Sequence, residues 1–357
     1  MTIAEGRLLG DEESFARLGL DPVVRAPWED GLRLKKPFKS GEWEWWYCDA
    51  HLDDGYFCVT SFHLEVDAQG NVTPFININI AKGSTIICDL KGLPVDAEAY
   101  SVSESECDVV FGNNLFRSLE GVKRYHVYVD PETTGGYGLD LRFDSTVPAF
   151  RPGTGRWEAG DRHFSWFCPV PGADVAGKLF IGGETIEVKG NGYHDHNWGN
   201  VPMDQILSDW LWGRGQVGDF TVVTASVRFH PDVGGAEAPL LYLTSGQEVL
   251  VDAYNDAVVC LEGVKIPQPV TGKKTSSDCI YIAQNDRLKA SVRFDGQRTV
   301  IASFQWVNSS PDWETWYTRF PAKVTVDIER ADGTRSSATD NGPLENMDFF
   351  GRRHSAD

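Results

Sequence analysis

The chain has 357 residues and a formal net charge of −19, and a chain of this length is more than one hydrophobic core usually needs, which predicts two domains. The acidic balance argues against nucleic acid or an anionic membrane surface as the partner, because both attract clustered Lys and Arg. Residues 1–15 lack a basic segment followed by an apolar one, and no stretch approaches the length of a membrane span, so stable membrane insertion is not expected. Seven cysteines without CxxC spacing fit a reducing compartment, and we expect a cytoplasmic protein.

Short β-rich runs bounded by turn residues recur along the chain. In chain order they are Tyr56–Leu64, Phe75–Ile80, Tyr125–Val129, Leu139–Phe143, Thr221–Phe229, Leu288–Phe294, Thr299–Phe304 and Val324–Ile328. Helical periodicity is weak except near Met203–Trp212. The pattern predicts an all-β fold of two packed sandwich or barrel domains, because closure removes exposed strand edges.

The seam between the domains is predicted near residue 205, where Pro202-Met203-Asp204-Gln205 leads into a tryptophan-rich segment. We therefore assign residues 28–205 to an N-terminal domain and residues 206–340 to a C-terminal domain. Residues up to Pro27 and after Asn341 are expected to lie over the body or to fray.

The segment Gly190–Gly199 brings together side chains that can perform chemistry. If it is extended, alternate residues face opposite ways, and the two sets are Tyr193, Asp195 and Asn197 on one face and His194, His196 and Trp198 on the other. Burial would disfavour the ionised form of Asp195, which would make it a proton donor near neutral pH.

Two alternatives remain for this segment. Its polar side chains could be a structural corner that satisfies backbone groups. His194 and His196 could instead bind a metal, although no second cluster with ligand spacing accompanies them.

Twelve tryptophans form the second strong pattern, and large aromatic walls are typical of a pocket for an apolar ligand. The alternative is that most of these rings fill two β cores. The candidate ligand-contacting tryptophans are Trp46, Trp166, Trp198, Trp210 and Trp212.

Four polar residues outside the central segment are further candidates. Glu44 lies among tryptophans and is predicted to be either ion-paired or desolvated with a raised pKa. Asn77 and Asn79 share one strand face, where each amide needs a protein partner or a ligand group. Arg214 could pair with Glu44 or Asp195, or be a stacked surface arginine.

Three motifs occur in order: Glu44-Trp45-Trp46-Tyr47, Gly192-Tyr193-His194-Asp195-His196-Asn197-Trp198-Gly199 and Trp210-Leu211-Trp212-Gly213-Arg214. In order and spacing they resemble the lipocalin-like superfamily of hydroxyneurosporene synthases (carotenoid 1,2-hydratases) and AttH-like proteins, which also includes lipocalin-like Diels–Alderases. The resemblance covers residues 38–330 and implies a two-domain calycin-like fold with an apolar pocket and no redox cofactor.

The resemblance also implies roles for particular residues. In the hydratase branch an Asp two residues after a Tyr protonates an alkene, and here these are Asp195 and Tyr193. The His-x-Trp element of that branch is replaced by Ser165-Trp166-Phe167, which argues against a simple hydratase. In the cyclase branch Glu44 and Asn77 would anchor a carbonyl-bearing polyene.

We therefore expect a cyclase that uses neither cofactor nor metal and folds a hydrophobic polyene or isoprenoid for a Diels–Alderase-type pericyclic reaction. The alternatives are an isoprenoid hydratase or terpenoid cyclase that uses Asp195 as the acid, and a lipocalin-type carrier of an apolar ligand. The predicted catalytic residues are Asp195, Tyr193, His194 and Glu44. The predicted substrate-binding residues are Trp46, Asn77, Asn79, Trp166, His196, Asn197, Trp198, Trp210, Trp212 and Arg214.

Overall fold

The structure is a computed structural model that describes residues 5–268, 272–298, 300, 302–306 and 313–352. It is almost entirely β, as the sequence predicts. Two compact units are present. The N-terminal unit comprises Glu12–Arg151 and Phe164–Val201, and the C-terminal unit comprises the chain up to Asp11, Pro152–His163 and the chain from Pro202 onward.

The elements run in chain order as follows: β1 Arg7–Leu8, α1 Glu12–Leu18, β2 Trp43–Leu52, β3 Tyr56–Val66, β4 Val72–Lys82, β5 Thr85–Pro94, β6 Tyr100–Val102, β7 Asp108–Phe111, β8 Asn114–Glu120, β9 Arg124–Val129, β10 Tyr137–Ser145, β11 Arg156–Ala159, β12 Arg162–Ile181, β13 Glu184–Gly199, β14 Leu207–Val217, β15 Phe220–Phe229, β16 Glu237–Ser245, β17 Glu248–Tyr254, β18 Val258–Glu262, β19 Lys265–Pro267, β20 Lys274–Ser276, β21 Asp278–Gln284, β22 Leu288–Asp295, β23 Ala302–Trp306, β24 Trp313–Arg330 and β25 Arg335–Arg352. Short 3-10 turns lie at Pro27–Asp30, Asp53–Gly55, Met203–Gln205, Pro231–Val233 and Asn255–Ala257.

The sheet of the N-terminal unit has the order β5-β4-β3-β2-β13-β12-β10-β9-β8-β7-β6. It curls around one hydrophobic core, because the ring of Phe62 in β3 packs against Phe111 and Phe116 from the far part of the sheet. Strands β2 and β13 lie side by side near the middle of this order, so the two motifs that carry Glu44 and Asp195 are neighbours.

Glycines allow β13 to approach its neighbours closely. A Cβ atom on Gly190 would lie 2.0 Å from the carbonyl oxygen of His51, and one on Gly192 would lie 2.6 Å from side-chain atoms of Phe143 and Val175. Larger residues would push β13 away from β2. The glycines that open the central motif therefore set the position of the residues that follow them.

The sheet of the C-terminal unit has the order β17-β16-β15-β14-β25-β24-β22-β21-β18, with β23 paired to β24. Strand β18 also packs against β16, which brings the two ends of the sheet together and nearly closes a barrel. Its core contains residues such as Phe294, Phe320 and Leu344.

Two sequence expectations need revision, and a third lies partly outside the described residues. The segment Met203–Trp212 is a 3-10 turn followed by β14 and not a helix, because Trp210 and its neighbours pair with both β15 and β25. Residues 342–352 do not fray, since β25 continues to Arg352. Of the predicted run Thr299–Phe304, Thr299 and residue 301 lie outside the described residues.

The domain limits also differ in detail from a single cut near residue 205. The chain passes between the units near Asp11, Arg151, His163 and Val201, so Pro152–His163 belongs to the C-terminal unit. Among the described residues, no helix has both the length and the apolar character that a bilayer crossing requires.

Candidate active site

Strands β2 and β13 present two chemically different faces. In their antiparallel register Tyr47 is opposite Asp195, and Asp49 is opposite Tyr193. Directly opposite residues share a face, so these four side chains lie together on what we call the acid face. Glu44, His194 and His196 alternate with them and lie on the opposite, core face. The extended conformation and the alternation expected for the central motif are both observed.

Asp195 is held by three hydrogen-bond donors. The Tyr193 hydroxyl and the Trp166 indole N–H donate to Oδ2 at 2.8 and 2.9 Å, and the Asn197 amide donates to Oδ1 at 2.8 Å. The residue is 8% exposed. Burial raises the pKa of Asp195 to about 7 although the three donors lower it, so both protonation states are present near neutral pH.

A second phenol and carboxylate lie beside this group. The Tyr47 hydroxyl donates to Asp49 Oδ2 at 3.0 Å, and the rings of Tyr47 and Tyr193 meet edge to face at 6.3 Å. Asp49 is buried, whereas Tyr47 is half-buried. Both strands thus carry a Tyr-x-Asp pair in which the tyrosine donates to the aspartate of its own strand.

The acid face continues across β3 and β4 as a neutral polar network. The backbone N–H of Gly92 donates to Asn77 Oδ1 at 2.8 Å, which turns the Asn77 amide nitrogen toward His63 Nε2 at 3.0 Å and Ser61 Oγ at 3.2 Å. His63 Nε2 is therefore an acceptor, and the Ser61 hydroxyl donates to it at 2.7 Å. Burial lowers the pKa of His63 to about 3.

Asn77 and Asn79, which the sequence analysis considered as contacts for a ligand, already form hydrogen bonds within the protein. Both ends of the Asn77 amide already bond within the sheet. Asn79 lies on the same face, and its amide nitrogen donates to Asp89 at 3.2 Å. Each asparagine thus has the protein partner that the sequence analysis allowed as one of two outcomes.

The core face holds the remaining predicted catalytic residues in a closed network. Glu44 Oε1 and Oε2 accept the backbone N–H groups of Arg33 and Leu34 at 2.7 and 2.8 Å, and His196 Nε2 lies 2.8 Å from Oε1. His194 Nε2 lies 3.0 Å from Asp30 Oδ2. Glu44, His194 and His196 are fully buried and lie across the sheet from Asp195.

The two histidines each need an additional proton. Their Nδ1 atoms face backbone carbonyls, that of Tyr47 at 2.9 Å for His194 and that of Glu29 at 3.3 Å for His196, and a carbonyl only accepts. Because each Nε2 faces a carboxyl oxygen, each pair holds a second proton on the ring or on the carboxyl group.

One group on the core face has the composition of a metal site. Ligand atoms of Asp30, Cys107 and His194 lie within 4.8 Å of one another, and all three residues are buried. Burial raises the pKa of the Cys107 thiol well above its usual range, and Asp30 Oδ2 already accepts the Tyr125 hydroxyl at 2.7 Å. Asp30 Oδ2 and His194 Nε2 are thus already hydrogen-bonded to each other.

The predicted aromatic residues do not form one wall. Trp46 is buried on the core face, where it stacks on His196 at 4.7 Å and donates to the Asp30 carbonyl. Trp198 is half-buried and also packs on His196. Trp166 is the one of these three that contacts Asp195, and Trp45, on the acid face, is half-buried beside His63.

Trp210, Trp212 and Arg214 lie on β14 in the C-terminal unit and share one strand face. Arg214 is buried. The partners given above for Glu44 and Asp195 come from the N-terminal unit. Two cavities in the C-terminal unit, of about 370 and 250 Å³, have no predicted site residue in their linings.

Sequence reasoning missed Tyr47, Asp49, Ser61 and His63 on the acid face. The spacing Tyr47-Cys48-Asp49 repeats that of Tyr193-His194-Asp195 and could have revealed the first two. The backbone donors to Glu44 come from Arg33 and Leu34, in a stretch without a recognisable motif.

The chain is similar to several known proteins. Residues 140–258 match the model of a Diels-Alderase-like family. A hydroxyneurosporene dehydrogenase of Chlorobaculum tepidum is 40% identical over 60 residues, covering 15% of this chain and 16% of that protein. The quinolone epoxide rearrangement protein AsqO of Emericella nidulans is 36% identical over 53 residues, covering 15% of this chain and 14% of that protein. The chain therefore spans only about a seventh of the length of these relatives.

Solved structures share the whole fold at low sequence identity. The crystal structure of CghA matches with a TM-score of 0.62 and 15% identity, covering 88% of this chain and 90% of CghA. Kievitone hydratase from Nectria haematococca matches with a TM-score of 0.51 and 14% identity, covering 97% of each chain. The chain therefore has the β fold of these structures, and residues 140–258 are similar to the Diels-Alderase-like family.

Proposed function

We propose that this protein is an enzyme of the cyclase, isomerase or hydratase type that acts on an apolar polyene or isoprenoid and uses Asp195 as its proton donor. The observation that carries this proposal is the buried carboxyl group of Asp195, whose pKa of about 7 keeps a protonated fraction available at neutral pH.

The contacts of Asp195 also favour release of its proton. Oδ2 accepts two hydrogen bonds and Oδ1 accepts one, so the proton is best placed on Oδ1. When the proton leaves, all three donors face a carboxylate, and hydrogen bonds to a charged acceptor are stronger than those to a neutral one. The site thus stabilises the charge that develops as substrate is protonated.

The names of two similar proteins support proton-initiated chemistry. One is a quinolone epoxide rearrangement protein, and another, similar in fold, is kievitone hydratase. Epoxide rearrangement and alkene hydration can both begin with protonation of the substrate. The half-buried rings of Trp45 and Tyr47 would offer apolar surface to such a substrate.

A pericyclic cyclisation is the second candidate, because the Diels-Alderase-like family model covers residues 140–258 and includes Trp166, Tyr193 and Asp195. In such a reaction Asp195 would donate a hydrogen bond to a carbonyl of the reacting partner and would not lose its proton. The fold similarity to CghA is compatible with both candidates.

The Asp195→Asn variant separates these candidates. The amide keeps the size of the side chain but cannot deliver a proton, so proton-initiated turnover should fall by a factor on the order of 10² to 10⁴. A pericyclic reaction would retain a substantial fraction of its rate, because orientation is shared among many contacts. Ligand binding without any product would favour the carrier function.

A further inference from the structure

The acid face contains two Tyr-x-Asp pairs related by an approximate two-fold axis between β2 and β13. Tyr47 lies opposite Asp195, and Asp49 lies opposite Tyr193. Each hydroxyl donates to the carboxylate on its own strand, at 3.0 Å in β2 and 2.8 Å in β13. Opposite residues in such a register have Cβ atoms about 4.5–5.5 Å apart. One bound molecule can therefore reach both pairs.

The two pairs differ in which member can be reached. In β13 Asp195 as a whole residue is 8% exposed, while Tyr193 is fully buried. In β2 the order is reversed, because Asp49 is fully buried while Tyr47 is half-buried. The groups available to a substrate are therefore the carboxyl of Asp195 and the phenol of Tyr47, side by side.

We propose that Tyr47 and Asp49 form the proton-accepting half of the site, in which Tyr47 takes a proton from the substrate or from water and passes its own proton to Asp49. The inference rests on the proposed function of Asp195 as the acid. Tyr47 is then a catalytic residue, and Asp49 is a positioning residue and the final proton acceptor.

The proton balance of the step is complete. In a hydration, the Oδ1–H bond of Asp195 breaks, and the π electrons of the alkene form a new C–H bond and leave a carbocation. Water forms the C–O bond and loses one proton to Tyr47 Oη, while the Tyr47 O–H bond breaks and its proton joins Asp49. Asp195 ends as a carboxylate and Asp49 as an acid, and exchange with solvent restores both.

The same relay defines a substrate class. A cyclising substrate would replace water with its own hydroxyl group, or would lose an allylic C–H proton to Tyr47. The preferred substrate is therefore an apolar molecule with a protonatable alkene or epoxide and a nearby O–H or C–H bond that can lose a proton. A pericyclic reaction transfers no proton and would not use the relay.

Other titratable groups share this face. His51 lies on β2 and His63 on β3. The pKa of His63 is lowered to about 3 by burial, so its ring stays neutral where Asp195 titrates. Glu65 in β3 and Asp89 in β5 also lie on this face, whereas Asp195 and Asp49 each accept a tyrosine hydroxyl.

Tyr47→Phe tests the relay, because phenylalanine keeps the ring and removes only the hydroxyl. Tyr128→Phe is a matched control, since Tyr128 in β9 and Asp130 just after it have the same Tyr-x-Asp spacing. Product formation from linear polyenes, isoprenoids and their epoxides would be followed by mass spectrometry from pH 4 to 10 for wild type, both variants, Asp49→Asn and Asp195→Asn.

The relay predicts a bell-shaped pH profile for wild type, a loss of at least about 10²-fold for Tyr47→Phe, and near-normal turnover for Tyr128→Phe. Asp49→Asn should lose the acidic limb of the profile. If Asp195→Asn is inactive while Tyr47→Phe keeps wild-type turnover and both limbs, the relay is overturned and the acid function of Asp195 stands. If Asp195→Asn is fully active, or no compound is converted, the proposed function fails and the relay fails with it. Circular dichroism melts identify any variant that does not fold, and Tyr47→Phe then decides alone.

Discussion

Asp195 and Tyr47 lie directly opposite each other on neighbouring antiparallel strands, and each belongs to a hydrogen-bonded tyrosine–aspartate pair. Sheet register enforces this relationship, because β2 pairs with β13 from Trp43 to Leu52 without a bulge. A one-residue slip of β13 would move Tyr193 and Asp195 to the core face and separate them from Tyr47 and Asp49. The chemistry of the acid face therefore depends on the same pairing that builds the N-terminal unit.

The raised pKa of Asp195 predicts a pH-dependent cost to stability. Its folded-state pKa of about 7 lies above the ordinary value of 3.8, so the folded protein binds the proton more tightly than the unfolded chain does. This contribution is fully present below about pH 3.8 and is lost as the pH rises through about 7. Because one pKa unit corresponds to about 1.36 kcal/mol, wild type should lose up to about 4 kcal/mol relative to Asp195→Asn between pH 4 and pH 8.

Urea titrations of both proteins at the two pH values measure this difference. Parallel stability profiles for wild type and Asp195→Asn would mean that Asp195 titrates as an ordinary exposed carboxyl group.

The hydrogen-bond donors around Asp195 predict that its pKa is higher in variants that lack one of them. The hydrogen bonds from Tyr193 and Trp166 lower the pKa of Asp195, so Tyr193→Phe and Trp166→Phe should each raise it further. Carbon-13 NMR of labelled aspartate carboxyl groups would follow the titration directly, with Tyr128→Phe as the control that leaves Asp195 unchanged. A downward shift in either donor variant would contradict the hydrogen-bond assignment.

The buried network on the core face predicts large stability losses. Glu44→Gln and His196→Gln each remove one partner of a fully buried hydrogen bond and should lower the free energy of unfolding by about 1–3 kcal/mol. Glu329→Gln is the control, because its pair with Arg335 is exposed and should contribute less than about 1 kcal/mol. The denaturant midpoints of the variants measure these losses of stability. A loss for Glu44→Gln as small as that for Glu329→Gln would contradict a structural role for Glu44.

The sequence predicted the alternation of the central motif and the all-β class, because these follow from local periodicity and residue type. It did not predict that Glu44 and Asp195 would lie on opposite faces. That result depends on the register between β2 and β13, which are separated by more than a hundred residues. The predicted helix at Met203–Trp212 failed for a related reason, since pairing with two distant strands outweighs a weak local pattern.

The close approach of β13 to β2 at Gly190 predicts that a larger residue at this position destabilises the protein. Gly190→Ala would place a methyl group 2.0 Å from the His51 carbonyl oxygen, so β2 and β13 must separate. We expect a loss of about 1–3 kcal/mol or more in unfolding free energy. Asn191→Ala is the control, because it introduces alanine at the neighbouring position of the same strand without adding atoms. Equal stability of the two variants, measured by thermal melts, would show that β13 does not need the close approach.

The most direct test of the central claim is mass spectrometry of products formed in heavy water from linear polyenes, isoprenoids and their epoxides by the purified protein and by Asp195→Asn. Proton transfer from Asp195 predicts a product that carries one solvent deuterium at a carbon or oxygen that received the proton, with the carbon-bound label surviving transfer back to ordinary water, and almost no product from the variant. An unlabelled product formed at similar rates by both proteins would contradict an acid role for Asp195 and favour a pericyclic reaction.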